Sequence, residues 1–178
     1  MKLLLELADG HRVEAVGIPE RFLKQTKRIH KNRESGNDPR IPEKMRLTIC
    51  VSSQVGCAMR CSFCATGKMG FSRNLNAAEI VDQVLWMEEV MDHRVNNIVY
   101  MGMGEPLNNY RNVVSSVRII MDKLGLGGRH FTISTVGVPN MIGKLASLKM
   151  QLTLAVSLHA PTQVRRKLIS SVYNINQM

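Results

Sequence analysis

The sequence predicts an α/β fold, a partial (β/α) barrel preceded by a short β-hairpin. Three observations predict it. Beyond residue 45, strand-like apolar runs alternate with helix-like segments, the order of a parallel sheet or barrel. Those strand runs carry few polar interruptions, as strands covered on both faces do. Ahead of them, Asp9-Gly10 sits between two short apolar runs, a strong hairpin turn signal.

Taken in order, LLLELADGHRVEAV reads as two strands, and residues 1–18 form the hairpin unit. Residues 19–45 change character. From Arg21 to Arg46 nine lysines and arginines stand against Glu34, Asp38 and Glu43, and ESGNDPRIPEK has the composition of a loop. This stretch reads either as a solvated linker or as an arm facing RNA. Residues 46–178 form the third unit, opening with MRLTICVSS as a strand. Asn76 caps the helix NAAEIVDQVLWMEEVM, whose Ile80, Val81, Val84, Leu85 and Val90 recur at helical spacing. NNIVYMGMG is a strand, and VVSSVRIIMDKLG a helix stopped at Gly125. HFTISTVG is a strand, NMIGKLASL a short helix and LTLAVSLHA a strand. The count of βα units is about four, fewer than a closed barrel holds. Met87, Met91, Met101, Met103 and Met121 are expected to fill the core.

A chain of 178 residues is long enough for a domain with a real core. No run approaches bilayer length. The N-terminal stretch carries Glu6 and Asp9 and no small-residue cleavage site, so neither a signal peptide nor a transit peptide is read. The expectation is a cytoplasmic chain with no membrane partner, an organelle being left open. In a reducing compartment, clustered cysteines bind metal or do redox work more often than they form structural bridges. The net charge of +10 favours a polyanionic partner.

All four cysteines lie in CVSSQVGCAMRCSFCATGKMG, with Cys57, Cys61 and Cys64 spaced C-x3-C-x2-C. Thiolates bind soft metals and iron–sulfur clusters. A structural zinc wants a fourth ligand, which Cys50 or a distant histidine would have to supply. A [4Fe–4S] cubane on three cysteines leaves one iron open, so three suffice if the missing ligand is a small molecule. GMGEP follows a strand. Its glycines allow close backbone approach, and Glu105 can accept from a cationic amine. Ser134 ends the next strand, and Ser157-Leu158-His159 the one after. Chemistry in β/α barrels sits at such strand ends, although each residue alone also reads as satisfying strand-end backbone.

The cysteine loop resembles that of radical S-adenosylmethionine (SAM) enzymes. CVSSQVGCAMRCSFCATGKMGFSRNL, GMGEPLNN, STVGVP and LAVSLHAP, in that order, resemble a narrower group, the RlmN/Cfr family of RNA adenine methyltransferases. The similarity covers roughly Lys2–Ile18 and Ile41–Ile169. It implies a partial barrel of the radical SAM class, with a [4Fe–4S] cluster on Cys57, Cys61 and Cys64 and SAM chelated at the open iron. It implies SAM contacts from Gly104, Glu105, Ser134, Ser157, Leu158 and His159. It further implies methylation of adenine C2 in ribosomal RNA and tRNA, and an electron donor for the cluster. Cys50 matches the family's resolving cysteine, which releases the product by forming a disulfide with a methyl-carrying cysteine. Glu14 matches its proton acceptor. The plainer readings are a buried inert thiol and a solvent-facing glutamate.

The family places its methyl carrier well beyond the point where this chain stops. With three ligands and one resolver, no cysteine remains for that role, so the chain reads as a truncated member, roughly half of such an enzyme. Two other readings stay open. One is a radical SAM reaction that needs no carrier. The other is an iron–sulfur or zinc fragment that binds RNA without turnover.

Overall fold

Asp9 and Gly10 turn the chain where expected. Gly10 takes φ 81° and its N–H donates to Leu7 O at 2.9 Å. The turn joins β1 (Lys2–Glu6) to β2 (Arg12–Phe22), which pair antiparallel. This computed structural model describes residues 1–22, 44–162 and 164–166. Most of the basic stretch and everything after Arg166 therefore lie outside the described residues. β2 continues past Ile18, and its second half pairs antiparallel with β3 (Lys44–Cys50), Val16 lying opposite Cys50.

The chain then forms β4 (Gln54–Gly56), α1 (Ala65–Lys68), β5 (Phe71–Asn74) and α2 (Ala77–Met91). It continues through β6 (Asn97–Tyr100), α3 (Tyr110–Leu124), β7 (Phe131–Thr135), α4 (Met141–Ala146) and β8 (Thr153–Val156). The main sheet has six strands in the order β1-β2-β3-β6-β7-β8. β3, β6, β7 and β8 run parallel, as the alternation of strands and helices predicts.

Strand alternation splits this sheet into two unlike faces. One carries Leu47, Ile49, Ile98, Tyr100, Phe131 and Ile133, which join Ile80, Val84 and Met87 of α2 and Val113, Val117 and Ile120 of α3 in one buried core. Each such side chain contributes about 1.5–3 kcal/mol when fully buried, and together they fix where the strands end. The other face carries Thr48, Cys50, Asn97, Val99, Thr132 and Ser134, aligned across the parallel ladder. This second face is polar or half-buried, and it leads to the strand ends.

α2 starts as its sequence predicts. Asn76 Oδ1 accepts from Glu79 N and Glu79 Oε2 accepts from Asn76 N, both at 2.9 Å, a complete capping box. Its buried stripe differs from the expected one. Leu85 and Val90 are 43% and 46% exposed, whereas Gln83 is buried. The reason is local: Gln83 Oε1 accepts from Ser52 N at 2.7 Å and its Nε2 donates to Ser52 O at 3.0 Å. A polar side chain thus replaces a leucine because it satisfies a buried peptide. Among the methionines, Met87 and Met103 are core, but Met101 is 50% exposed and is not core filling.

Arg73 ties three elements together. Its guanidinium makes a two-pronged contact with Glu79 at 2.9 and 2.8 Å, and its Nε donates to Asp9 Oδ2 at 2.6 Å. The hairpin turn, β5 and the first turn of α2 are joined at one cation. That cation holds the carboxyls of Asp9 and Glu79 below the usual carboxylate range. A depressed carboxyl stabilises the fold above its unfolded pKa and loses that contribution as pH falls. Arg73→Met is therefore expected to lower the melting temperature by a few degrees near neutral pH. It should also shrink the further loss on acidification to about pH 3, as thermal melts at the two pH values would show. An acid loss as large in the variant as in the wild type would contradict this.

Candidate functional site

The cysteine loop is held at both ends. β4 and β5 pair antiparallel, Gln54 opposite Asn74, with Cys57, Cys61 and Cys64 on the intervening chain. Gly56 has φ 72°, and a Cβ there would collide with Gly70 O. Cys57 N then donates to Gly70 O at 2.7 Å, closing the loop. Cys57 and Cys61 are buried around Met59, with Cys64 and Val136 packed alongside. Burial pushes the Cys57 thiol pKa up, and negative charge on Cys61, Glu105 and Cys64 would raise it further. All four cysteines are thiols.

Beside this loop, the chain after β6 lies against the chain after β3. Gly102 N donates to Val51 O at 3.0 Å and Ser53 N to Met103 O at 2.8 Å. Ser52 Oγ accepts from Met103 N at 2.9 Å while donating to Glu14 O at 2.6 Å. A Cβ on Gly102 would lie 2.7 Å from Ser52 Oγ. Gly104 has φ 98°, and its Cβ would lie 2.5 Å from that of Gln54. Glu105 is 3% exposed. Its two oxygens accept from Leu107 N at 3.0 Å and Val136 N at 2.9 Å. Burial raises this carboxyl's pKa, and the two backbone amides draw it back. At the next strand ends, Ser134 Oγ and Ser157 Oγ are 3.4 Å apart. The His159 ring lies 4.6 Å from that of Phe63, tilted by 56°.

These features meet in one cavity of about 320 Å³. Cys57, Cys61 and Cys64 line one part of it, and Gly104, Glu105, Ser134, Ser157 and His159 the other. Among the described residues no three His, Cys, Asp or Glu side chains come close enough to share a single metal ion. The three thiols border one cavity, and a purely thiol donor set of this kind fits an iron–sulfur cluster, which soft thiolates bind. A larger cavity of about 550 Å³ lies between β1 and α2, beside Leu4 and Trp86, but it holds none of these groups. We place the site in the smaller one, where thiols and strand-end polar groups coincide.

Three of the sequence-predicted residues lie outside the cavity lining. Leu158 is 46% exposed, between Ser157 and His159, which do line the cavity. Cys50 and Glu14 share the polar face of the sheet, since Cys50 pairs with Val16, two residues along β2 from Glu14. The Cys50 thiol pKa is raised by burial and partly drawn back by a backbone hydrogen bond from Met101. Glu14 is half exposed and ion-paired to Lys2 at 2.6 Å. Conversely, sequence reasoning missed Ser52, Gln54, Met101 and Arg166. The signal for the first two was a run of three polar residues, Ser52-Ser53-Gln54, set between Val51 and Val55. All three are buried.

Residues 51–177 match the radical SAM superfamily. The chain belongs to this superfamily. Among curated relatives, a "Probable dual-specificity RNA methyltransferase RlmN" from Synechococcus sp. is 50% identical over 172 residues. That alignment takes in 96% of this radical SAM chain and 42% of the relative. A protein of the same description from Thermosynechococcus vestitus is 48% identical over 181 residues, taking in 100% of this chain and 47% of its own. The crystal structure of a radical SAM methyltransferase from Sphaerobacter thermophilus superposes with a TM-score of 0.76 at 39% identity. It covers 94% of this chain, which in turn covers 44% of it. The radical SAM chain described here thus spans less than half the length of the proteins it matches.

Two glycines give a matched test of the site's backbone. Gly104→Ala forces a side chain into positive φ against Gln54, and should destabilise by about 1–3 kcal/mol. Gly143, in α4, has open space around it, so Gly143→Ala should be neutral or stabilising by up to about 1 kcal/mol. Urea unfolding midpoints would compare them. Equal stability of the two variants would remove the case for a constrained strand end.

Proposed function

We propose that this chain is the cofactor-binding part of a radical SAM methyltransferase acting on adenine C2 in ribosomal RNA and tRNA. The observation that carries the reading is the single cavity bordered by three cysteines and by polar residues from three successive strand ends. The RNA substrate is supported by the names of the relatives and by the net charge of +10. Cys57, Cys61 and Cys64 would hold a [4Fe–4S] cluster, and the remaining lining residues would hold SAM. When bound and reduced by a donor, the cluster supplies the single electron that breaks a carbon–sulfur bond of SAM.

The chain's own residues divide the remaining work. Gly102 and Gly104 line the cavity and let the chain after β6 pack against Ser52 and Gln54, where a Cβ would collide. Glu105 presents a carboxylate at the cavity wall, already oriented by two amides, where a cationic amine would be stabilised. Ser134 and Ser157 each offer a hydroxyl that can turn toward a ligand. The Phe63–His159 ring pair borders the same cavity. Cys50, on the polar sheet face, would serve as the resolving cysteine, and Glu14 on that face as the proton acceptor. The hairpin, the basic stretch and the residues beyond 45 would then act as three parts, the second facing RNA. The compartment that suits this work is the cytoplasm. Among the described residues no helix is long and apolar enough to cross a membrane.

Anaerobic reconstitution tests the first step. About four irons and four sulfides per chain are expected, and Cys61→Ala should lose them. The reduced protein should convert SAM to 5′-deoxyadenosine. Stoichiometric zinc without iron would overturn the assignment. With unmodified ribosomal RNA the 178-residue chain should yield no C2-methyladenosine, because its four cysteines are taken as ligands and resolver. Catalytic appearance of that nucleoside in RNA digests would show that Cys50 has been misassigned.

A further inference from the structure

A hydrogen-bond relay runs behind the cavity wall. Gln54 Nε2 donates to Asn74 Oδ1 at 2.7 Å, linking the two ends of the cysteine loop. Gln54 Oε1 accepts from Glu105 N at 2.9 Å. Glu105 Oε2 accepts from Val136 N at 2.9 Å, and Val136 O accepts from Arg166 Nη2 at 2.7 Å. The relay therefore joins the cysteine loop, the strand ends after β6 and β7, and the segment that follows β8.

Its last member is the least expected. Arg166 is 1% exposed, its backbone anchored by a bond to Thr162 O at 3.0 Å. A guanidinium is charged at any ordinary pH, and burying one is costly without a partner. Among the described residues it has no salt bridge, and its Nη1 is buried without a hydrogen-bond partner. Among the described residues its guanidinium is met by one backbone carbonyl, that of Val136. The N–H of Val136 meets the Glu105 carboxylate and its C=O meets Arg166, so two opposite charges are bridged by a single backbone unit. Val136 itself lines the cavity, whereas Arg166 does not.

We propose that Arg166 is a positioning residue for SAM, acting through Val136 on the strand end that presents Ser134 and orients Glu105. The inference rests on the SAM reading given above. Without the guanidinium, Val136 O loses its partner inside the protein, and the end of β7 keeps its pairing with β8 but loses its tie to the segment that follows β8. The contacts from Ser134 and Glu105 would then weaken together. The cysteine loop, closed by the bond from Cys57 N to Gly70 O and by Gln54 and Asn74, would keep its shape. The signature is loss of SAM affinity with cluster content unchanged, which a general loss of stability would not produce.

The test uses the cluster-loaded chain and equilibrium binding of SAM. Arg166→Met should weaken binding about tenfold or more at equal iron content, and Arg166→Lys, which keeps a donor, should recover part of it. Wild-type protein that holds iron but not SAM would overturn the SAM reading itself. Wild-type binding with an unchanged Arg166→Met variant would overturn only the role of Arg166. Should that variant not fold, hydrogen exchange on the wild type decides. SAM should slow exchange both at residues 134–137 and at residues 164–166. Protection confined to the first segment would reject the coupling.

Discussion

The site depends on how closely the backbone after β6 lies against the backbone after β3. Three backbone hydrogen bonds cross that contact, from Gly102 N to Val51 O and from Ser53 N and Gln54 N to Met103 O, and the Ser52 hydroxyl links Met103 N to Glu14 O. Such an approach leaves no room for a Cβ at Gly102. The cysteine loop begins three residues beyond this contact and GMGEP lies within it. The relative placement of thiols and strand-end groups is therefore set by backbone packing rather than by the loop itself.

Burying that much backbone creates a demand for hydrogen bonds, and the local polar residues meet it. Ser52, Ser53, Gln54, Gln83, Glu105 and Asn109 are all buried. Asn109 donates to Ser53 O at 2.8 Å and to Leu75 O at 2.7 Å. The apolar layer under α2 and α3 drives folding without regard to direction, while this polar layer is directional and selects one arrangement of the strand ends. Cys50 lies on the polar face of the sheet, and burial raises its thiol pKa.

Local signals in the sequence were legible. Asp9-Gly10 reports its own turn, Asn76 and Glu79 their capping box, and Gly125 its left-handed helix end at φ 69°. The cysteine spacing and the polar strand ends likewise name residues that line one cavity. What stayed hidden depends on partners far along the chain. Gln54 and Glu105 are 51 residues apart, and Gln83 and Ser52 are 31. Nothing local distinguishes Gln83 from Leu85 as the buried member of α2. The shared face of Cys50 and Glu14 follows only from the register of β2 on β3. Arg166 lies in a run of charged residues, and its burial becomes visible only once Val136 is placed.

The triple tie at Arg73 bears on the order in which the chain folds. Asp9 and Arg73 are 64 residues apart, and contacts of such separation require closure of a long loop before they return any stabilisation. The β5 end of the cysteine loop therefore reaches its final anchorage only after the hairpin has docked. A segment made earlier is needed to finish a segment made later. A chain deprived of the hairpin would lack that anchorage of the loop even though every cysteine is still present.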